Sequence, residues 1–229
     1  MIDPSWIPAN REWTECLIRD AGNPASNDPF FPQDRGFDFY VGHSWAKGIF
    51  ESGDGKDEES TSEDVNFSYA CMLWGMVVGN KSLECRASLQ LAILRRSLQS
   101  YCLYTPNNKI QAPQYIGNCV SGIMFMNKCD WTTYFGHCIE YILGIHMLPT
   151  TPISSYVRTP EFVNYEWEAK LKNVAPDLRD GWKGILYLDY SIANPKAAWS
   201  FFADPNFNYG WLDGGMSRSW ALVMSAKCA

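Results

Sequence analysis

Between Val65 and Val78 the chain carries only two strongly polar residues, Asn66 and Ser68, and its apolar residues fall on every face of a 3.6-residue helix. A helix without a polar face has to be covered all round. The next run, Ser82 to Leu103, is different: Leu83, Ala87, Leu91, Leu94, Leu98 and Tyr101 form one stripe, and Arg86, Gln90, Arg96 and Ser100 lie off it. That periodicity predicts a half-exposed helix. An all-apolar helix followed by an amphipathic one suits two concentric layers, the inner covered by the outer. The expected fold is mainly α, an (α/α) toroid of helical hairpins.

Other segments extend the pattern. Thr159-Pro160 and Asn194-Pro195 each put a capping side chain before a proline at the first helical position, which predicts two helix starts. Helices are also expected over Asn10 to Ala21, Thr133 to Ile145, Asp177 to Ile192 and Ser217 to Ala226, with a loop and short strands from Lys109 to Phe125. These are fewer helices than a closed (α/α)6 ring requires, so residues 1–229 are expected to form one partial toroid, incomplete at its N-terminus.

Composition narrows the partners. With Lys+Arg 19 against Asp+Glu 25, the 229-residue chain has a net charge of -6 and would repel a phosphate backbone or an anionic membrane surface. No stretch reaches the roughly 20 apolar residues of a membrane span. Neither nucleic acid nor membrane is expected as a partner, and the oligomeric state is open. The 8 cysteines contain no CxxC pair, and free buried thiols are the default in a chain of this length. Asn66-Phe67-Ser68 and Asn80-Lys81-Ser82 fit the short glycosylation pattern. His43, His137 and His146 make neither HxH nor HExxH spacing, so no metal is expected; a GxSxG elbow and a phosphate-binding glycine loop are absent as well. No cofactor is implied.

Ahead of the apolar helix lies an acidic run: Glu51, Asp54, Asp57, Glu58, Glu59, Glu63 and Asp64, against Lys56 alone. Ser60 and Glu63 have capping-box spacing, in which the hydroxyl accepts from a first-turn amide and the carboxylate reaches back. Glu59 has no such explanation. Just before a helix, exposed amides and the positive end of the macrodipole favour its ionised form, which suits a base. Glu59 and Glu63, four residues apart across the helix start, are also placed to converge on one water or one hydroxyl-rich ligand. A solvated acidic face is the competing reading, and both remain open at this point.

Upstream, Asp38 to Ala46 places Asp38, Tyr40, His43 and Trp45 within nine residues. Aromatic faces with polar tips suit sugar rings, whose C–H faces stack while their hydroxyls seek carboxylates and imidazoles.

The segments Asp38 to Ala46, Gly53 to Asn66, Thr133 to Gly136 with Glu140 and Tyr141, Gly144 to Pro149, and Trp211 to Gly215 with Ser217 to Leu222 together resemble glycoside hydrolase family 81, the endo-1,3-beta-glucanases. The resemblance runs from about Asp3 to Leu222. It implies inverting hydrolysis of internal beta-1,3-glucosidic bonds in beta-1,3-glucan, by a helical toroid that follows a beta-sandwich. Inversion needs an acid on the leaving oxygen and a base activating water on the opposite ring face, roughly 6.5 to 9.5 Å apart. By resemblance Glu59 is the base and Glu63 its partner in holding the water. Asp38, Tyr40, His43, Trp45, Tyr134, Glu140 and His146 are then expected as substrate contacts. The family's general acid lies before the position matching Met1, as do the beta-sandwich and first helices, so the chain reads as the C-terminal part of a catalytic domain. A non-catalytic beta-glucan-binding protein is the alternative. An extracellular or cell-wall location is favoured over the cytoplasm.

Overall fold

The computed structural model describes residues 3–45 and 53–228. Ten α-helices occur among them: α1 (Trp6–Gly22), α2 (Thr61–Val78), α3 (Lys81–Tyr101), α4 (Pro113–Ile116), α5 (Ile139–Gly144), α6 (Ser154–Val157), α7 (Pro160–Glu166), α8 (Gly181–Tyr190), α9 (Pro195–Ala203) and α10 (Arg218–Lys227). Strands β1 (Phe37–Asp38) and β2 (His43–Ser44) form one short antiparallel pair. Strands β3 (Asp57–Glu58), β4 (Ile123–Phe125) and β5 (Cys129–Asp130) form an antiparallel ladder in that order, with Glu58 opposite Met124. Among the described residues the architecture is mainly helical, with repeated hairpins and no closed sheet, as in an (α/α) toroid.

The α2–α3 hairpin is tight because its turn is fully satisfied. Gly79 takes a left-handed conformation (φ 74°) and donates to the carbonyls of Gly75 and Met76, and Asn80 then caps α3 by accepting from the Leu83 amide at 3.1 Å. Gly75 lets the two helices approach closely, since a Cβ there would lie 2.6 Å from the Glu84 amide nitrogen. Along α3 the buried residues Ala87, Leu91, Leu94 and Leu98 repeat at helical spacing, and the three leucines join the main core with Ile142, Leu143, Phe162, Val163 and Leu186. A second, smaller core joins α8, α9 and α10 through Leu188, Phe202, Phe207, Ala221 and Met224. Thr159 and Asn194 cap α7 and α9 as their sequence pattern predicts, accepting from the Phe162 and Ala197 amides.

Two expectations need correction. Helix α2 is not covered all round: Leu73, Met76 and Val77 are 39%, 55% and 54% exposed. Among the described residues α3 covers one side of α2, while its far end borders an apolar groove of about 660 Å³ shared with Trp6, Leu17 and Ile18 of α1. The helix expected over Thr133 to Ile145 shrinks to α5. Thr133 and Gly136 close a turn instead, the Thr133 hydroxyl donating to the Gly136 carbonyl at 2.7 Å and accepting from its amide at 3.1 Å. Local side-chain bonding of this kind competes with helix formation.

Arg158, at the end of α6, is wholly enclosed with Glu166 of α7 and Asp189 of α8. Its Nε and Nη2 each donate to Asp189 at 2.9 Å, and Nη2 also donates to Glu166.

Candidate active site

The extended strand β3 runs directly into α2, and the change of direction leaves Glu59 and Ser60 between them. Around this junction lies a groove of about 280 Å³ lined by Trp45, Glu58, Glu59, Glu63, Asp64 and Gln90, with Arg35 at its edge. Glu59 and Glu63 thus share one groove, on either side of the first turn of α2. Glu59 is half-buried and accepts a hydrogen bond from the Tyr134 amide at 2.9 Å. The Tyr134 phenol in turn donates to Asp57 of β3 at 2.8 Å. The turn around Gly136 therefore holds Glu59 from outside the helix. Glu63 is exposed and aimed at solvent-accessible space in the groove.

The capping box expected at Ser60 and Glu63 does not form, since Ser60 makes no side-chain bond to a helix amide. A more distant segment takes over. The Ser60 hydroxyl donates to the Ile145 carbonyl at 3.1 Å, and that of Ser62 to the carbonyls of Ile145 at 3.2 Å and Leu148 at 2.5 Å. Asn66 donates to the Pro149 carbonyl at 3.0 Å. The stretch from Ile145 to Pro149 so grips the first two turns of α2.

Beneath the pair lies a second layer of acids that sequence reading left without a role. Glu58 is buried; loss of solvent, then the nearby charges of Asp64 and Glu63, push its carboxyl well above the usual carboxylate range. Burial also raises Asp64, to about 6, although the Ser44 amide and hydroxyl each donate to it at 2.7 Å. Those donors favour the ionised form of Asp64, whereas Glu58 is the member of this buried pair held more strongly toward its protonated form. The signal available in the sequence was the density of the acidic run, which exceeds what one catalytic pair needs.

The remaining expected contacts separate into groups. Trp45 borders the carboxylate groove and also a second groove of about 900 Å³, where Tyr40, His43, Tyr101 and Tyr115 lie. Tyr40 is 97% exposed there. His43 is buried edge-on against Trp45 at 4.6 Å and bonds the Ser44 carbonyl; burial lowers its pKa against the pull of that bond and of Asp38. Asp38 lines neither groove. Its carboxylate accepts from the Tyr40 and Val41 amides and from the Trp45 indole at 3.1 Å, which fixes the aromatic segment. Tyr134 is 56% exposed beside Glu59. Glu140, half-buried in the first turn of α5, lines neither groove. His146 is fully buried (0% exposed) beneath the start of α2, so it too reaches no ligand space.

Among the described residues no cluster of three His, Cys, Asp or Glu side chains is arranged to hold a metal, and no helix is long and apolar enough to cross a membrane. All 8 cysteines are unpaired. Both asparagines of the glycosylation pattern are engaged, Asn66 with Ser62, Pro149 and Thr151, and Asn80 as the cap of α3.

Helical hairpins here present a carboxylate pair at a helix start, with the Trp45 ring in the wall of the same groove. The glycosyl hydrolase family 81 C-terminal domain matches residues 1–222, and the chain belongs to that family. It is 54% identical over 221 residues to glucan endo-1,3-beta-D-glucosidase 2 of Saccharomyces cerevisiae, covering 96% of this chain and 28% of that protein. It is 50% identical over 227 residues to the primary septum glucan endo-1,3-beta-D-glucosidase of Schizosaccharomyces pombe, covering 98% of this chain and 22% of that one. A mutant form of a glycoside hydrolase family 81 protein from Clostridium thermocellum superimposes with a TM-score of 0.84 at 27% identity, over 98% of this chain and 31% of the other. The chain therefore spans between 22% and 28% of the length of the curated fungal relatives it matches.

Proposed function

We propose that the chain is the C-terminal part of an endo-1,3-beta-glucanase that hydrolyses internal bonds of beta-1,3-glucan with inversion. The observation that carries this reading is the shared groove of Glu59 and Glu63 at the start of α2, with Trp45 in its wall. Glu59 is the base. Its bond from the Tyr134 amide leaves the second carboxylate oxygen to polarise a water. Glu63 bonds the same water from one turn further on. Burial biases Glu58 below toward its protonated form, which leaves the upper pair to orient the water. Trp45 supplies an apolar wall for the sugar face. Proton donation to the leaving oxygen is assigned to the part of the longer relatives that this chain does not span, in keeping with the resemblance. A beta-1,3-glucan substrate also favours an extracellular or wall setting.

Laminarin hydrolysis, followed by reducing ends, tests this with the chain and with a version extended upstream. Glu59→Gln in the extended form should lower kcat by about 10²–10⁴-fold, the range for loss of a general base. Unchanged kcat would remove Glu59 from the role. The second reading, a glucan-binding protein without catalysis, is favoured by the wide aromatic groove beside Trp45. Titration calorimetry with laminari-oligosaccharides that showed binding without cleavage, even in the extended form, would select it.

A further inference from the structure

We propose that His146 is a positioning residue for the glutamate pair: its imidazole caps the N-terminus of α2 from 85 residues away and fixes where Glu59 and Glu63 point. The inference rests on the function proposed above for the two glutamates, while its structural part stands apart from it.

The first amides of a helix lack intrahelical partners and are normally satisfied by the side chain at the cap. At α2 that side chain is Ser60, and its hydroxyl is turned away to Ile145. In its place His146 Nδ1 lies 3.4 Å from the Thr61 amide nitrogen and 3.1 Å from the Thr61 hydroxyl. A backbone amide can only donate, so Nδ1 is the acceptor and the ring proton sits on Nε2. Loss of solvent and then the neighbouring Arg158 cation lower the imidazole pKa to about 3, so Nδ1 remains an acceptor through the neutral range. The ring is fully buried, held by the same segment whose carbonyls receive Ser60, Ser62 and Asn66.

Glu59 lies two residues before the capped amide and Glu63 two residues after it. Successive helical residues are turned by about 100°, so a slipped or frayed first turn swings Glu63 out of register with Glu59. The Tyr134 amide holds Glu59 from outside the helix, which means that the helix start must be equally well placed for the two carboxylates to share one water. His146 supplies that placement without touching the substrate.

The test compares His146→Asn, which puts an amide oxygen near the position of Nδ1, with His146→Leu, which has similar bulk and no acceptor. Hydrogen exchange is read at Thr61 and at control amides in α9 and α10, and laminarin kcat and KM are measured in the upstream-extended chain. His146→Leu should speed Thr61 exchange about tenfold or more without affecting the controls, and lower kcat by about 10–100-fold with KM little changed, as expected for misplaced catalytic groups. His146→Asn should recover most of both. Equal behaviour of the two variants, or unchanged exchange at Thr61, overturns the proposal. If His146→Leu does not fold, 15N shifts of the wild-type imidazole decide: an unprotonated Nδ1 with a protonated Nε2 supports the cap, and the reverse tautomer refutes it. A wild type no more active than Glu59→Gln would sink the catalytic reading, whereas exchange and tautomer would still judge His146.

Discussion

Replacing Arg158 with Met should make stability strongly dependent on pH. The guanidinium is the only cation bonded to Glu166 and Asp189 among the described residues, and all three side chains are buried. Its removal leaves two enclosed carboxylates without a counter-charge, a loss that costs about 3–5 kcal/mol when one partner of a buried ion pair is deleted. For a chain of this size that corresponds to a fall in Tm of about 6–20 °C. The carboxylates can escape by binding protons. Burial already pushes Glu166 up to about 7 with the opposing Arg158 charge in place, and without that charge its folded-state value rises further. A folded pKa raised above the unfolded value of roughly 4 stabilises the fold below that value, and the benefit is lost as pH rises through the folded pKa. The penalty of Arg158→Met should therefore be small near pH 4.5 and full near pH 8. Urea unfolding followed by tryptophan fluorescence measures it, and Arg158→Met combined with Glu166→Gln and Asp189→Asn should recover most of the loss at pH 8. A penalty below about 1 kcal/mol at pH 8, or one equal at both pH values, would refute the reasoning.

Glu58→Gln should raise Tm above pH 5 and leave it unchanged near pH 4, because the unfolded chain releases the Glu58 proton more readily than the fold does and the glutamine removes that penalty; equal shifts at both pH values would count against a raised folded pKa. Gly122→Ala should destabilise by about 1–3 kcal/mol, since φ is +71° and a Cβ there would sit 2.3 Å from the Asp130 carbonyl oxygen; a chemical melt within error of wild type would contradict that. Asn194→Ala should cost about 1 kcal/mol through loss of the bond from the Ala197 amide, measurable in the same assay.

The α2–α3 hairpin was legible because its periodicity and its Gly79-Asn80 turn agree, and α7 and α9 because a capping residue precedes a proline. What failed did so where a tertiary partner outbid a local one. Ser60 has the spacing of a capping residue, yet its hydroxyl finds the Ile145 carbonyl, and no pattern near Ser60 announces a partner so far along the chain. Thr133 to Ile145 carries helix-compatible residues, but the Thr133 hydroxyl closes on Gly136. Glu59 and Glu63 stood out as a pair from the acidic run and the apolar helix behind it. Asp38 is expected as a contact from its residue type and its segment, Glu140 and His146 from the family resemblance alone, whereas only coordinates reveal that Asp38 is held by its own turn and that His146 is enclosed.

Because Ser60, Thr61, Ser62 and Asn66 are held by partners 83 to 86 residues downstream, the glutamates are misplaced in any partly made chain. Helix α2 and its turn to α3 can form early from local contacts, but the carboxylates come to rest only after a long loop has closed, an event whose entropic cost precedes its reward. A chain severed before Ile145 would keep both glutamates and lose the geometry. Emergence of the site during synthesis must therefore wait until α5 and the segment behind it have been made.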